Sequence, residues 1–185
     1  MKKLGFGFMR LLVHEVNQQE VDMTMVNQMV DVFLERGFTY FDTAYMYHDF
    51  KSENILRDAL VKRYPRERFT VAAKLPTMFL RTEEDQERIF EEQLEKCGLE
   101  YFDYYLLHNL NISSYQTVTK LNSFEFITQI ILHSIMRRCK KTKRAFQHKR
   151  SIMGIIVKSM ARHQNVYLVN SVKNIVLSIS RLQSV

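Results

Sequence analysis

GFTYFDTAYMYHDFKSE, residues 37–53, is the stretch from which the architecture is read. A short aromatic run, FTYFD, closes on Asp42, as a buried strand does where it reaches solvent. Upstream, Val26, Met29, Val30, Phe33 and Leu34 recur at helical spacing, which predicts a helix over 21–36 with Gly37 as its terminator. Downstream, Ile55, Leu56, Ala59 and Leu60 share one face of a predicted helix over 52–63, with Ser52 as its expected cap and Pro65 as its stop. The rhythm continues in both directions. LGFGFMRLL, residues 4–12, reads as a strand whose glycines permit close backbone approach, and FTVAAKL, 69–75, as a strand stopped by Pro76. Thr82 is expected to cap a third helix that runs through Cys97 to Gly98, and YFDYYLLH, 101–108, is a fourth strand. Strands and helices alternating at about 30-residue spacing make an α/β fold with a parallel sheet. Four such units fit before about residue 120. A closed (β/α)8 TIM barrel takes about 250 residues, so the pattern is that of roughly its first half.

The chain has 185 residues, enough for one good core, with 46% hydrophobic and 25% charged residues. No run approaches the roughly 18 apolar residues of a membrane helix, so no membrane partner is expected. The start, MKKLGFGFMRLLVHEV, is interrupted by Arg10 and lacks a small-residue cleavage site; it is not read as a signal peptide. Cys97 and Cys139, 42 positions apart, suggest free thiols in a reducing compartment, and the cytoplasm is the expected location. The net charge of +7 conceals an asymmetry. Residues 1–125 hold 15 Lys and Arg against all 20 Asp and Glu, a net of −5, whereas 126–185 hold 12 Lys and Arg and no acid. The expected organisation is therefore a partial barrel over 1–127 and a basic, irregular segment over 128–185.

Asp42, Tyr47, Lys74 and His108 stand at or just beyond the ends of three successive predicted strands. In a parallel array those ends form one face, where active sites gather. Each has a plain structural reading alone: Asp42 as a loop cap, Tyr47 as packing, His108 as a satisfied histidine. Lys74 at the end of an apolar strand is harder to dismiss, because a buried lysine needs a partner. Together they suit one chemistry. An ammonium favours the ionised form of a nearby phenol, a carboxylate fixes the ammonium, and an imidazole orients a carbonyl oxygen. Such a group protonates an oxygen while hydride arrives at carbon.

Asp42-Thr43-Ala44-x-x-Tyr47, the strand carrying Lys74, and LLH ending at His108 resemble the aldo/keto reductases. The likeness extends over GFGFMRL, ERGFTYFDTAYMYHDFKSE, FTVAAKLP and EKCGLEYFDYYLLH, about residues 3–127, in the family's order. It is especially similar to bacterial and archaeal predicted reductases that often carry a ferredoxin-like iron–sulfur segment. The resemblance implies a (β/α)8 barrel, NADPH or NADH as cofactor, and reduction of an aldehyde or ketone as the small carbonyl substrate. By position, Tyr47 would be the proton donor, Lys74 with Asp42 would tune it, and His108 would orient the carbonyl. Gly5, Met9 and Arg10 fall in the first-strand segment, where the family's loop approaches the cofactor, and Asp42 borders it. The sequence departs from the family in three places. His48 replaces the glycine that often follows the tyrosine, and reads as an exposed loop residue. The second barrel half, with most cofactor contacts, is not recognisable. No cysteine cluster for iron–sulfur binding is present, and no metal site is assigned.

RRCKKTKRAFQHKR, residues 137–150, has 8 Lys and Arg in 14 positions, too charged to bury. As a phosphate-binding patch it lacks a nucleic-acid fold and has Phe146 as its single interleaved aromatic. As a membrane-surface helix it lacks a clean apolar stripe. Out-of-frame translation from about residues 127–130 accounts for the abrupt loss of resemblance, of acids and of turn residues, and is the favoured expectation; a divergent second half is the remaining one. The expected function is an NAD(P)H-dependent oxidoreductase, with the activity of this chain open. The alternative is a non-enzymatic partial barrel whose basic tail binds nucleic acid or another acidic partner. In either case the unpaired edges of the first and fourth strands favour self-association.

Overall fold

The computed structural model describes residues 4–14 and 20–140, with only the backbone for 135, 136 and 138–140. The chain divides into two units, Met1–Ser134 and Ile135–Val185. Of the basic segment expected over 128–185, residues 128–140 are described, as part of a helix, and residues 141–185, with the readings made of them, lie outside the described residues.

Within the first unit, β1 (Gly5–Gly7), β2 (Tyr40–Asp42), β3 (Thr70–Pro76) and β4 (Tyr104–His108) form one parallel sheet in sequence order. Helix α1 (Met23–Glu35) joins β1 to β2, α2 (Ser52–Leu56) with a π-helical continuation over Arg57–Val61 joins β2 to β3, and α3 (Glu84–Cys97) joins β3 to β4. These are the expected β/α units. Helix α1 starts where the Asp22 carboxylate accepts the Met25 amide at 3.0 Å, and the chain leaves it through Gly37 at φ +76°. An L side chain disfavours that left-handed conformation, and glycine tolerates it freely.

Side chains alternate across the strands with period two. Phe41, Val71, Ala73, Leu75 and Tyr105 point to the outer face, where they pack with Val26, Val30, Phe33, Leu56, Leu60, Ile89 and Phe90 of the helices. The opposite, inner face carries Gly7, Asp42, Ala72 and Tyr104 in one register row and Lys74 and Leu106 in the next.

The structure corrects three expectations of detail. The first strand is three residues long rather than nine: the Phe8 amide still reaches Asp42 O at 2.8 Å, but the Leu11 amide is bonded to His48 instead of to β2. Ser52 is not a cap. Lys51 holds that position, and Ser52 is fully buried inside the first turn. Thr82 is not a cap either; Glu83 precedes the helix, and the Asp85 carboxylate accepts the Arg81 and Thr82 amides at 2.8 and 3.0 Å. Two further helices were not read from the sequence. Helix α4 (Ile112–Lys120) begins with a reciprocal Asn111–Ser114 cap, and α5 (Ser123–Lys140) runs across the compositional boundary at 127/128. No helix among the described residues is long and apolar enough to cross a membrane.

Candidate active site

The inner face delivers Asp42, Lys74 and His108 to the C-terminal ends of β2, β3 and β4, and the loop after β2 brings Tyr47 back over them. The Lys74 ammonium is the centre. It donates to Asp42 Oδ1 at 2.5 Å, to Thr43 O at 3.0 Å and to the Tyr47 hydroxyl at 3.1 Å. Three acceptors match the three donors of an ammonium, so its head group is saturated. The side chain is 14% exposed and its ion pair with Asp42 is partly shielded, which makes each contact stronger than on an open surface. The His108 ring meets the Tyr47 ring edge-on, centroids 5.5 Å apart and planes at 89°. Its Nδ1 is buried without a hydrogen-bond partner among the described residues. Burial and the field of Lys74 push the His108 imidazole below its ordinary pKa against the opposing pull of Asp42, which favours the neutral ring. All four residues singled out from sequence are thus brought together.

The loop that carries Tyr47 has an unusual backbone. His48, Asp49 and Phe50 lie consecutively at φ +49°, +51° and +66°, a left-handed turn without a glycine. Two backbone bonds close it, Lys51 N to His48 O at 3.0 Å and Ser52 N to Tyr47 O at 3.1 Å. His48 also differs from its expected role as an exposed loop residue. It is half-buried, and its Nε2 accepts the Leu11 amide at 3.0 Å, joining the tyrosine loop to the segment after β1.

The first-strand residues differ in what surrounds them. A side chain at Gly5 would meet the Tyr40 ring at 2.8 Å, so packing accounts for that glycine. A side chain at Gly7 would meet nothing within 4 Å, and Gly7 lies beside Asp42 in the register. Met9 is 52% exposed and Arg10 is exposed in the turn that follows. The described residues therefore leave open space at one margin of the site, beside Gly7 and Asp42.

Sequence reasoning missed Thr43, whose carbonyl binds Lys74, because a backbone acceptor has no signature. It also missed Glu53 and Gln93, both fully buried behind the site. Their signal was present: Glu53 is in phase with Leu56 and Leu60, and Gln93 with Ile89, Phe90 and Cys97, so a polar residue interrupts each apolar face.

The family profile described as the aldo/keto reductase family matches residues 3–145. Among curated proteins none matches. Among solved structures, an aldo-keto reductase from Bacillus halodurans in its holo form is similar at 24% identity and a TM-score of 0.53, covering 70% of this chain and 43% of that one. An aldo-keto reductase from Klebsiella pneumoniae in complex with NADPH is 22% identical with a TM-score of 0.48, covering 63% of this chain and 40% of that one. A second structure from the same organism, in complex with NADP and acetate, is 23% identical with a TM-score of 0.48, covering 65% of this chain and 41% of that one. The chain spans less than half the length of these solved structures.

Proposed function

This chain belongs to the aldo/keto reductase family, and from that premise we propose that its site performs the acid–base part of an NAD(P)H-dependent carbonyl reduction. The observation that carries the reading is the Lys74 ammonium bonded at once to Asp42, Thr43 O and the Tyr47 hydroxyl. A bound NADPH or NADH supplies the hydride, and Gly7, Met9, Arg10 and Asp42 are the described residues that would border it. Tyr47 gives the phenolic proton to the oxygen of an aldehyde or ketone, which leaves as an alcohol. The phenolate left behind lies 3.1 Å from an ammonium, and no reorganisation is needed to stabilise it. Asp42 holds that ammonium in place. The neutral His108 is a hydrogen-bond donor to the carbonyl oxygen and orients it against the tyrosine. The compartment we propose is the cytoplasm, with a small carbonyl compound as substrate.

Binding is measured first, by quenching of NADPH fluorescence on titration with the purified 185-residue chain; saturable quenching is expected. Tyr47→Phe is then expected to lower turnover by about 10²–10⁴-fold with cofactor affinity nearly unchanged. Retained turnover in that variant would refute the role of Tyr47. We further propose that this polypeptide self-associates through the edges of β1 and β4, which pair with no further strand among the described residues, and through the inner face, where Tyr104 and Leu106 are 42% and 45% exposed. Leu106→Lys is expected to raise the monomer fraction in sedimentation, and an unchanged distribution would count against that contact.

A further inference from the structure

Lys74 is held at both ends, and both grips lead to two consecutive residues of one helical turn. At the head, the ammonium donates to the Thr43 carbonyl, while the Thr43 hydroxyl shares a 2.8 Å hydrogen bond with Ser52 Oγ. Ser52 Oγ in turn donates to Phe8 O at 3.0 Å, just past β1. At the backbone, the Lys74 carbonyl accepts from Gln93 Nε2 at 3.2 Å. The same Nε2 donates to Glu53 Oε1 at 2.6 Å, and Gln93 Oε1 accepts the Tyr105 hydroxyl at 2.6 Å. Ser52 and Glu53 thereby reach the ends of β1 and β2 directly, and β3 and β4 through one amide.

The chemistry of Glu53 explains why an acid occupies a position whose helical phase calls for leucine. Glu53 is fully buried, and its Oε2 has no hydrogen-bond partner among the described residues. Burial pushes its carboxyl up to about 7, so the group is costly where it stands. Rotated by half a turn, Gln93 would present Oε1 to the Lys74 carbonyl and to Glu53 Oε1, acceptor against acceptor; the carbonyl, at 3.2 Å, opposes that turn weakly, and the shorter, charge-assisted contact to Glu53, at 2.6 Å, opposes it more strongly. The Tyr105 hydroxyl does not prevent this, because a phenol donates or accepts. In its ionised form, above about pH 7, Glu53 only accepts, so its Oε1 requires the NH2 end of Gln93 on its side, and the Lys74 carbonyl then receives a donor.

We propose that Glu53, acting through Gln93 and together with Ser52, is a positioning residue that sets the Lys74 ammonium against the Tyr47 hydroxyl. The proposal rests on the reading of Lys74 and Tyr47 given above. Its test needs no turnover, so an inactive chain would sink that reading and leave this one standing. The full 185-residue chain is labelled with 13Cζ-tyrosine, and the Tyr47 resonance is assigned by its loss in Tyr47→Phe. Its titration is followed in the unsubstituted chain, in Gln93→Leu, Glu53→Leu and Glu53→Gln, and in Val118→Ala, a core truncation away from the network. The midpoint is expected to move by about half a pH unit or more in both leucine variants and by less in Glu53→Gln, with Val118→Ala unmoved. Midpoints that coincide with the unsubstituted chain, or that move equally in Val118→Ala, overturn the proposal. If the leucine variants do not fold, Glu53→Gln decides alone: it accepts or donates, so a displaced or doubled Tyr47 resonance supports the proposal, and a single resonance at the original position overturns it.

Discussion

The two faces of the sheet are built from the same strands and obey opposite rules. On the outer face, Phe41, Val71, Ala73 and Leu75 are completely buried, and aromatic rings such as Phe6, Phe33 and Phe41 meet within about 6 Å of one another. On the inner face, Asp42, Lys74 and His108 occupy alternate positions of those strands, and Tyr104 and Leu106 remain open to solvent. The difference teaches that the site borrows its rigidity. Each polar residue of the inner face sits next to an apolar neighbour locked into the outer core, Asp42 after Phe41 and Lys74 between Ala73 and Leu75.

The sharpest way to break this comparison is to truncate matched residues on the two faces. Phe41→Ala removes a fully buried ring and is expected to cost about 3–5 kcal/mol in urea unfolding. Leu106→Ala, on the inner face, is expected to cost less than about 1 kcal/mol. Equal losses would mean that the inner face is packed as tightly as the outer one.

The next test concerns the acid buried between the sheet and its helices. The Glu53 carboxyl is pushed up from its ordinary 4.5 to about 7, chiefly by burial, with the Gln93 hydrogen bond and Lys96 opposing. The folded state therefore binds this proton more tightly than the unfolded chain does. The contribution of Glu53 is fully present below about pH 4.5 and is lost as the pH rises through about 7. The loss is about 3 kcal/mol as an upper bound. Glu53→Gln removes the titration, so the stability of the unsubstituted chain relative to the variant should fall between pH 5 and pH 8. Parallel pH profiles for the two chains would show that Glu53 titrates normally.

Where the sequence was legible, a periodic constraint made it so. The outer face fixes strand and helix alike, because Phe41, Val71 and Leu75 must alternate while Val26, Val30, Phe33 and Leu34 must recur along α1. Asp42, Tyr47, Lys74 and His108 were legible for the same reason, since strand ends were located by the apolar runs before them. What stayed hidden was set by single hydrogen bonds. Ser52 looks like a helix cap by type and position, yet its hydroxyl turns to Phe8 O and Thr43. Leu11 looks like a strand residue, yet its amide goes to His48. Helix α5 was obscured because its sequence crosses the change from an acidic to an acid-free composition, and charge composition does not determine helical periodicity.

The smallest expected effect lies at His48, where inner-face chemistry meets strained backbone. The left-handed conformation at φ +49° costs a non-glycine residue about 1 kcal/mol, and the bond from the Leu11 amide to Nε2 returns a similar amount. His48→Gly relieves the first and forfeits the second, so at pH 8 its stability should lie within about 0.5 kcal/mol of the unsubstituted chain. The two chains should separate in acid. Burial pushes the His48 imidazole below its ordinary 6.5, against the opposing Asp49, so the folded state binds this proton less tightly than the unfolded chain. Its contribution is present above about pH 6.5 and is lost as the pH falls through the lowered value, because protonation converts the Nε2 acceptor into a donor facing the Leu11 N–H. Melting curves at pH 8, 6 and 5 should therefore show His48→Gly overtaking the unsubstituted chain as the pH drops. A gap that does not change with pH would place the titration of His48 elsewhere and reduce its role to that of a residue filling a turn.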